Sequence, residues 1–188
     1  LEYADYSEWQ NDLTDENLEP FFFYWKKKLN NARILYLDTD VQRPHIHTYK
    51  AAFKNQSLSQ DLSGKIEMFC EKHNTSPFYF FLTIFNCLLY KYSSIDEVTI
   101  GTLYENRQKE ELKKILGPVS NLLVLKTNLK DSQSFLNLLS IVSDDYNQSH
   151  DFSDIPFEKV VSKINPEKDM SRPAHIFFWF YYKNYNLK

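Results

Sequence analysis

Residues 76–90, SPFYFFLTIFNCLLY, decide the fold. Ser76 offers an N-cap oxygen, and Pro77 suits the first helical position, where its missing N–H costs nothing. Phe78, Phe80, Phe81, Leu82, Ile84, Phe85, Leu88 and Leu89 then surround the helix axis. A helix apolar all round is expected to be buried all round, so this one is placed at the centre of the domain. Thr83 and Asn86 interrupt the stretch, and it falls short of the about 20 apolar residues a membrane span needs. No membrane partner is expected.

The pattern extends outward on both sides. Upstream, Leu62, Ile66, Phe69 and Cys70 recur at helical spacing between Ser59 and His73. Residues 47–57 alternate loosely and predict a strand. Asp38, Asp40 and Pro44 mark a loop. Thr14, Asp15 and Glu16 start a helix running to Leu29, with Phe21, Phe22, Trp25 and Leu29 on one face. Lys26, Lys27 and Lys28 crowd its last turn and read as a solvated helix end. Residues 1–11 predict a short aromatic helix.

Downstream, Glu97 to Gly101 reads as a short strand, and residues 105–114 as loop with a short helix. Residues 121–129, NLLVLKTNL, are a stronger strand. Phe135, Leu138, Leu139, Val142 and Tyr146 line one face of a helix over 134–146. Pro156 opens a short helix. Residues 175–182, HIFFWFYY, predict a buried strand. Helices and strands intermix, so the class is α/β or α+β: a mixed sheet flanked by helices.

Composition narrows the function. The chain of 188 residues has 15 Phe, 13 Tyr and 3 Trp but only 3 Gly; average usage of about 7% would give roughly 13 glycines. Gly64, Gly101 and Gly117 lie too far apart for a phosphate cradle, which excludes a P-loop and a dinucleotide fingerprint. A net charge of −3 gives no electrostatic reason to expect nucleic acid. Cys70 and Cys87 are too few for a disulfide framework or a Cys-based zinc site and fit a reducing, cytoplasmic setting. The first ten residues carry three acids and no base, unlike a secretory signal.

The residues alone offer several chemistries and favour none. His45 and His47 lie near Asp38 and Asp40, a conceivable metal set, though a solvated loop is the expectation. His73 closes a helix, and His175 starts a strand. His150 stands between Ser149 and Asp151, but triad members meet in space rather than in sequence. Asp144 and Asp145 adjoin on a helix and so point in different directions. Aromatics interleaved with lysines can stack on single-stranded nucleic acid, but these follow core patterns.

Seven ordered segments resemble the condensation domain of nonribosomal peptide synthetases. YADYSEWQ (3–10) resembles YxDYxxWQ, and YWKKKL (24–29) resembles YWKxxL. LDTDVQRP (37–44) resembles LPTDRPRP, with Asp38, Val41 and Gln42 departing. IGTLYENR (100–107) resembles xGTPxxxR, and LGPVSNLLVLK (116–126) resembles IGxFVNTLVLR. DIPFEKVV (154–161) resembles DVPFEKLV, and KDMSRPAHIFF (168–178) resembles RDLSRxPLFQ. The resemblance spans essentially the whole chain.

It implies a fold like chloramphenicol acetyltransferase, two such halves forming one condensation domain. It implies an amide-forming reaction between thioesters carried on the phosphopantetheine arms of carrier proteins, with no cofactor bound directly. The family's catalytic element, HHxxxDG, precedes YxDYxxWQ. This chain has no adjacent His pair, and none of its glycines follows an Asp. The resemblance therefore implies the C-terminal half-domain over residues 1–188, ending early, with no catalytic residue of its own. Its partners would be the N-terminal half and carrier proteins.

Site roles carry over residue by residue. Arg107 matches the family Arg expected to pair with the Asp of HHxxxDG. The resemblance places Asn121, Gly117 and Ser120 in an element beside the tunnel between the two halves, through which the carrier arms would enter. Asp5, Tyr6 and Trp9 would seat the connection between halves; Gly101, Pro156, Phe157, Ser171 and Arg172 are motif and packing positions. Pro118 and Ser120 depart from the family pattern. Phe152 stands where the family has a His, with His150 two places upstream. A non-catalytic carrier-binding module and an epimerization-type or stand-alone acyltransferase relative remain alternatives.

Overall fold

The structure, a computed structural model, describes residues 1–30, 32–33, 35–41, 50–164 and 178–183. The described elements are α1 (Tyr3–Asn11), α2 (Asp15–Leu29), α3 (Gln60–Lys72), α4 (Pro77–Ser93), β1 (Glu97–Tyr104), α5 (Glu110–Lys113), β2 (Asn121–Asn128), α6 (Phe135–Asp151), α7 (Phe157–Ile164) and β3 (Phe178–Phe180). Four helices begin where a hydroxyl can cap them. Thr14 accepts from the Asn17 N–H, Ser59 from Leu62, Ser76 from Tyr79 and Ser134 from Asn137. Each cap satisfies one of the donors that a helix start leaves orphaned.

The sheet has strand order β2-β1-β3. β1 pairs antiparallel with β2 from Glu97↔Asn128 to Tyr104↔Asn121, and parallel with β3 from Ile100↔Phe178 to Thr102↔Phe180. It is therefore a mixed sheet with flanking helices, as expected. Val98, Ile100 and Leu125 pack against Leu82 and Leu89 of α4 and Leu138 and Val142 of α6. A second core joins Leu18, Phe22, Trp25 and Leu29 of α2 to Leu123 and Val124 of β2, Ile155, and Phe157 and Val160 of α7. Tyr6, Leu112, Ile115 and Val119 form a third cluster, joining α1 to α5 and the turn after it.

Three expectations are corrected. The helix α4 is not buried all round. It buries Leu82, Thr83, Asn86 and Leu89, while Ile84 is 41% and Leu88 49% exposed. Its exposed residues, Ile84, Leu88, Lys91 and Tyr92, form one stripe, while polar Thr83 and Asn86 sit inward. Residues 50–57, the described part of the expected strand at 47–57, belong to no strand and are exposed throughout. A strand needs a ladder partner, and no described strand pairs with residues 50–57. The run 175–182 contributes a strand of three residues, with Trp179 44% and Tyr181 54% exposed. It flanks β1 on the side opposite β2 and is half-buried, not buried. His175 and the rest of that run before Phe178 lie outside the described residues.

Local signals underestimate length. β1 continues three residues past Gly101 to Tyr104, and α6 continues past Tyr146 to Asp151. No helix among the described residues is long and apolar enough to cross a membrane.

Candidate functional site

The sequence-marked residues gather where β1 ends and β2 begins. Asn106, at a left-handed φ of 51°, turns the chain out of β1 and delivers Arg107 to the next loop. The Arg107 guanidinium donates from Nη1 to the carbonyls of Leu112 and Ile115, both at 2.8 Å. Its Nη2 donates to the carbonyl of Gly117, also at 2.8 Å. These carbonyls close α5 and the turn after it, where helix ends leave acceptors unpaired. Among the described residues no carboxylate pairs with Arg107.

Gly117 is required by a close approach. A Cβ built there would lie 2.5 Å from Cδ2 of Tyr3, at a φ of +156°. Gly117→Ala is expected to lower stability by about 1–3 kcal/mol, because it strains the backbone and pushes α1 off the loop. Chemical denaturation of the variant beside the unmutated chain checks this.

Ser120 and Pro118 are exposed. Asn121 is a clip. Its Nδ2 donates to the carbonyls of Ser153 and Ile155 at 2.7 and 2.5 Å. Its Oδ1 accepts from the N–H groups of Leu122 at 2.8 Å and Phe157 at 3.2 Å. The side chain thereby ties the start of β2 to the loop between α6 and α7. Pro156 and Phe157 hold the other side of the clip: the Pro156 carbonyl accepts from Lys159 N–H at 3.0 Å, and Phe157 is buried. Gly101 is buried between Val124 and Trp179 of the neighbouring strands. Ser171, Arg172, His45 and His47 lie outside the described residues.

The aromatic opening helix docks on the same region. The Tyr6 hydroxyl donates to the Val119 carbonyl at 3.5 Å and accepts from Asn106 Nδ2 at 3.2 Å. Burial raises its pKa above the usual tyrosine value. Asp5 accepts from the Glu2 N–H at 2.8 Å, closing the start of α1. Trp9 lies against Tyr6 with ring centroids 5.6 Å apart. A cavity of about 300 Å³ opens between Tyr6, Trp9, Asn106, Leu112, Ile115 and Asp154.

Two side-chain constellations have no counterpart in the sequence reading. His150, in the last turn of α6, places Nε2 2.8 Å from the Tyr104 hydroxyl. Burial, aided by the negative charge of Asp154, raises the Tyr104 pKa. Phe152 stacks on Tyr24 at 4.0 Å and 5°, and its carbonyl accepts from Trp25 Nε1 at 3.0 Å, so that position is a packing post.

The second constellation corrects the reading of Lys28. Lys26 and Lys27 are exposed, but the Lys28 side chain is only 9% exposed and meets Asp145 Oδ1 at 2.6 Å. Its Nζ also reaches Ser149 Oγ at 2.5 Å and the Tyr24 hydroxyl at 3.4 Å. Burial lowers the Lys28 pKa and raises that of Asp145, each partly offset by the partner. A sequence signal exists: Tyr24 with Lys28, and Asp145 with Ser149, are i,i+4 pairs on two helices. Only the packing of α2 against α6 shows that they meet. Asp144 points elsewhere, to Ser140 at 3.5 Å.

Among the described residues no cluster of three or more His, Cys, Asp or Glu could hold a metal ion. Chemically, the region can shape and hold a loop surface, with hydrogen-bonding groups turned mostly onto backbone.

Comparison with known proteins decides what this arrangement belongs to. A family model described as Condensation domain matches residues 1–188. The chain belongs to the condensation domain family. One of the linear gramicidin synthase proteins of Brevibacillus parabrevis is 32% identical over 189 residues, covering all of this chain and 4% of the relative. Beauvericin nonribosomal cyclodepsipeptide synthetase of Gibberella fujikuroi is 30% identical, over 92% of this chain and 6% of its own length. This condensation chain thus spans a few per cent of the length of the curated relatives it matches. Among solved structures, a four-domain nonribosomal peptide synthetase bound to AMP and glycine superposes with a TM-score of 0.91 at 20% identity, over 97% of this chain and 14% of that one. The X-domain from teicoplanin biosynthesis superposes at 0.85 with 20% identity, over 95% of this chain and 41% of that one. These likenesses carry the fold.

Proposed function

We propose that this chain is the C-terminal half of a nonribosomal peptide synthetase condensation domain, working in amide formation between carrier-bound aminoacyl or peptidyl thioesters. The condensation match over all 188 residues carries the reading. Its five histidines include no adjacent pair, so the proton acceptor for the attacking amine would come from an HHxxxDG element on the other half. The phosphopantetheine arms belong to the carrier partners. In this reading the chain supplies wall: Arg107 orders the loop at 110–117, and Asn121 sets the start of β2 against the loop at 152–156.

The test is reconstitution. Residues 1–188 with two loaded carriers are expected to give no amide, and addition of an N-terminal half bearing HHxxxDG is expected to give product. Turnover by residues 1–188 alone would refute the division of labour. A second reading, a non-catalytic carrier-binding module, is favoured by one observation: Arg107 donates to three backbone carbonyls of its own chain. Carrier binding with no turnover after reconstitution would select it.

A further inference from the structure

Among the described residues β2 lies at one edge of the sheet. In an antiparallel ladder alternate residues turn their N–H groups to the paired strand and to the free side. On β2 the free-side donors include Leu122 and Lys126. Both are taken, and by side chains. The Lys126 N–H donates to Asp145 Oδ2 at 3.0 Å, and the Leu122 N–H to Asn121 Oδ1 at 2.8 Å. Asp145 spends its other oxygen on Lys28 at 2.6 Å. The Lys28 ammonium is in turn fixed by Ser149 Oγ at 2.5 Å and by Tyr24 at 3.4 Å. Ser149 itself donates to the Asp145 carbonyl at 2.6 Å.

A buried ion pair is poorly explained as a source of stability, since apolar residues of similar volume often serve as well or better. Apolar residues at 28 and 145 could fill the same space. They could not accept the Lys126 N–H. An exposed edge with free donors is a template for another strand. We propose that the Lys28–Asp145 pair guards the β2 edge: Lys28 holds Asp145 in place, and Asp145 occupies one of the donors that an added strand, including one from a second copy of this chain, would use.

Amide exchange and sedimentation on the whole chain test the guard. In the unmutated chain the Lys126 amide is expected to exchange within about tenfold of Leu125 and Thr127, which face β1. An exchange about a hundredfold faster than theirs overturns the proposal without any variant. In Lys28→Met/Asp145→Leu the Lys126 amide is expected to exchange at least about tenfold faster relative to those neighbours. Self-association is expected to strengthen by about tenfold over the unmutated chain. Asp145→Asn keeps one of the two acceptor oxygens, and with it Lys126 exchange is expected to rise less than in the double variant. A folded double variant with unaltered Lys126 exchange and unaltered association refutes the guard. If the double variant does not fold, the comparison within the unmutated chain decides.

Discussion

Lys28→Met is expected to cost about 3–5 kcal/mol of folding stability at neutral pH. The side chain is 9% exposed and is the cation for Asp145, itself 17% exposed. Removing it leaves a carboxylate in a site that already disfavours its charge, since burial alone raises the Asp145 pKa. The loss is a large share of the 5–15 kcal/mol that typically holds a domain together. The pH dependence has a definite sign. Without Lys28 the folded-state pKa of Asp145 stands further above its unfolded value of about 3.9. A raised carboxylate pKa favours folding below the unfolded value, and that advantage is lost as pH rises through the folded value. The deficit of Lys28→Met should therefore shrink on acidification from pH 7 toward pH 4. Urea denaturation of both chains across that range measures it, and a deficit that widens in acid would contradict the assignment.

Arg107→Ala is expected to cost about 3 kcal/mol, from three charge-assisted hydrogen bonds of about 1.5–3 kcal/mol each, discounted for partial exposure. The carbonyls of Leu112, Ile115 and Gly117 lose their common donor. Amides over residues 110–119 should exchange faster, before the sheet does. Arg107→Lys should recover less than half of the loss, because a compact ammonium cannot fork to three acceptors. If the side chain acts instead by pairing with a carboxylate outside this chain, both variants should leave the stability of residues 1–188 unchanged.

These two side chains show where the sequence stops being legible. The caps at Thr14, Ser59, Ser76 and Ser134 are readable because a cap and its first turn lie within four residues. The eight-residue strand at 121–128 is readable from its own composition. The motif marks Arg107 but not its partners: three carbonyls, 5 to 10 residues away, have no sequence signature. Local rules make Lys28 solvated because cations suit a helix C-terminus. The approach of α6, more than a hundred residues later, overrides that local preference.

By itself, then, the sequence determined the helix starts, the strand at 121–128 and the start of the one at 97, the mixed α and β class and the condensation-domain family. All of these rest on local patterns or on ordered motifs. The tertiary structure decided which side of α4 is buried, that the aromatic run ends in a short, half-buried strand, that Asn121 and Arg107 spend their polar atoms on backbone, and that Asp145 divides its oxygens between Lys28 and the Lys126 N–H. These depend on which surfaces meet across the chain. A buried donor or charge takes the partner that packing supplies, wherever that partner lies in the sequence.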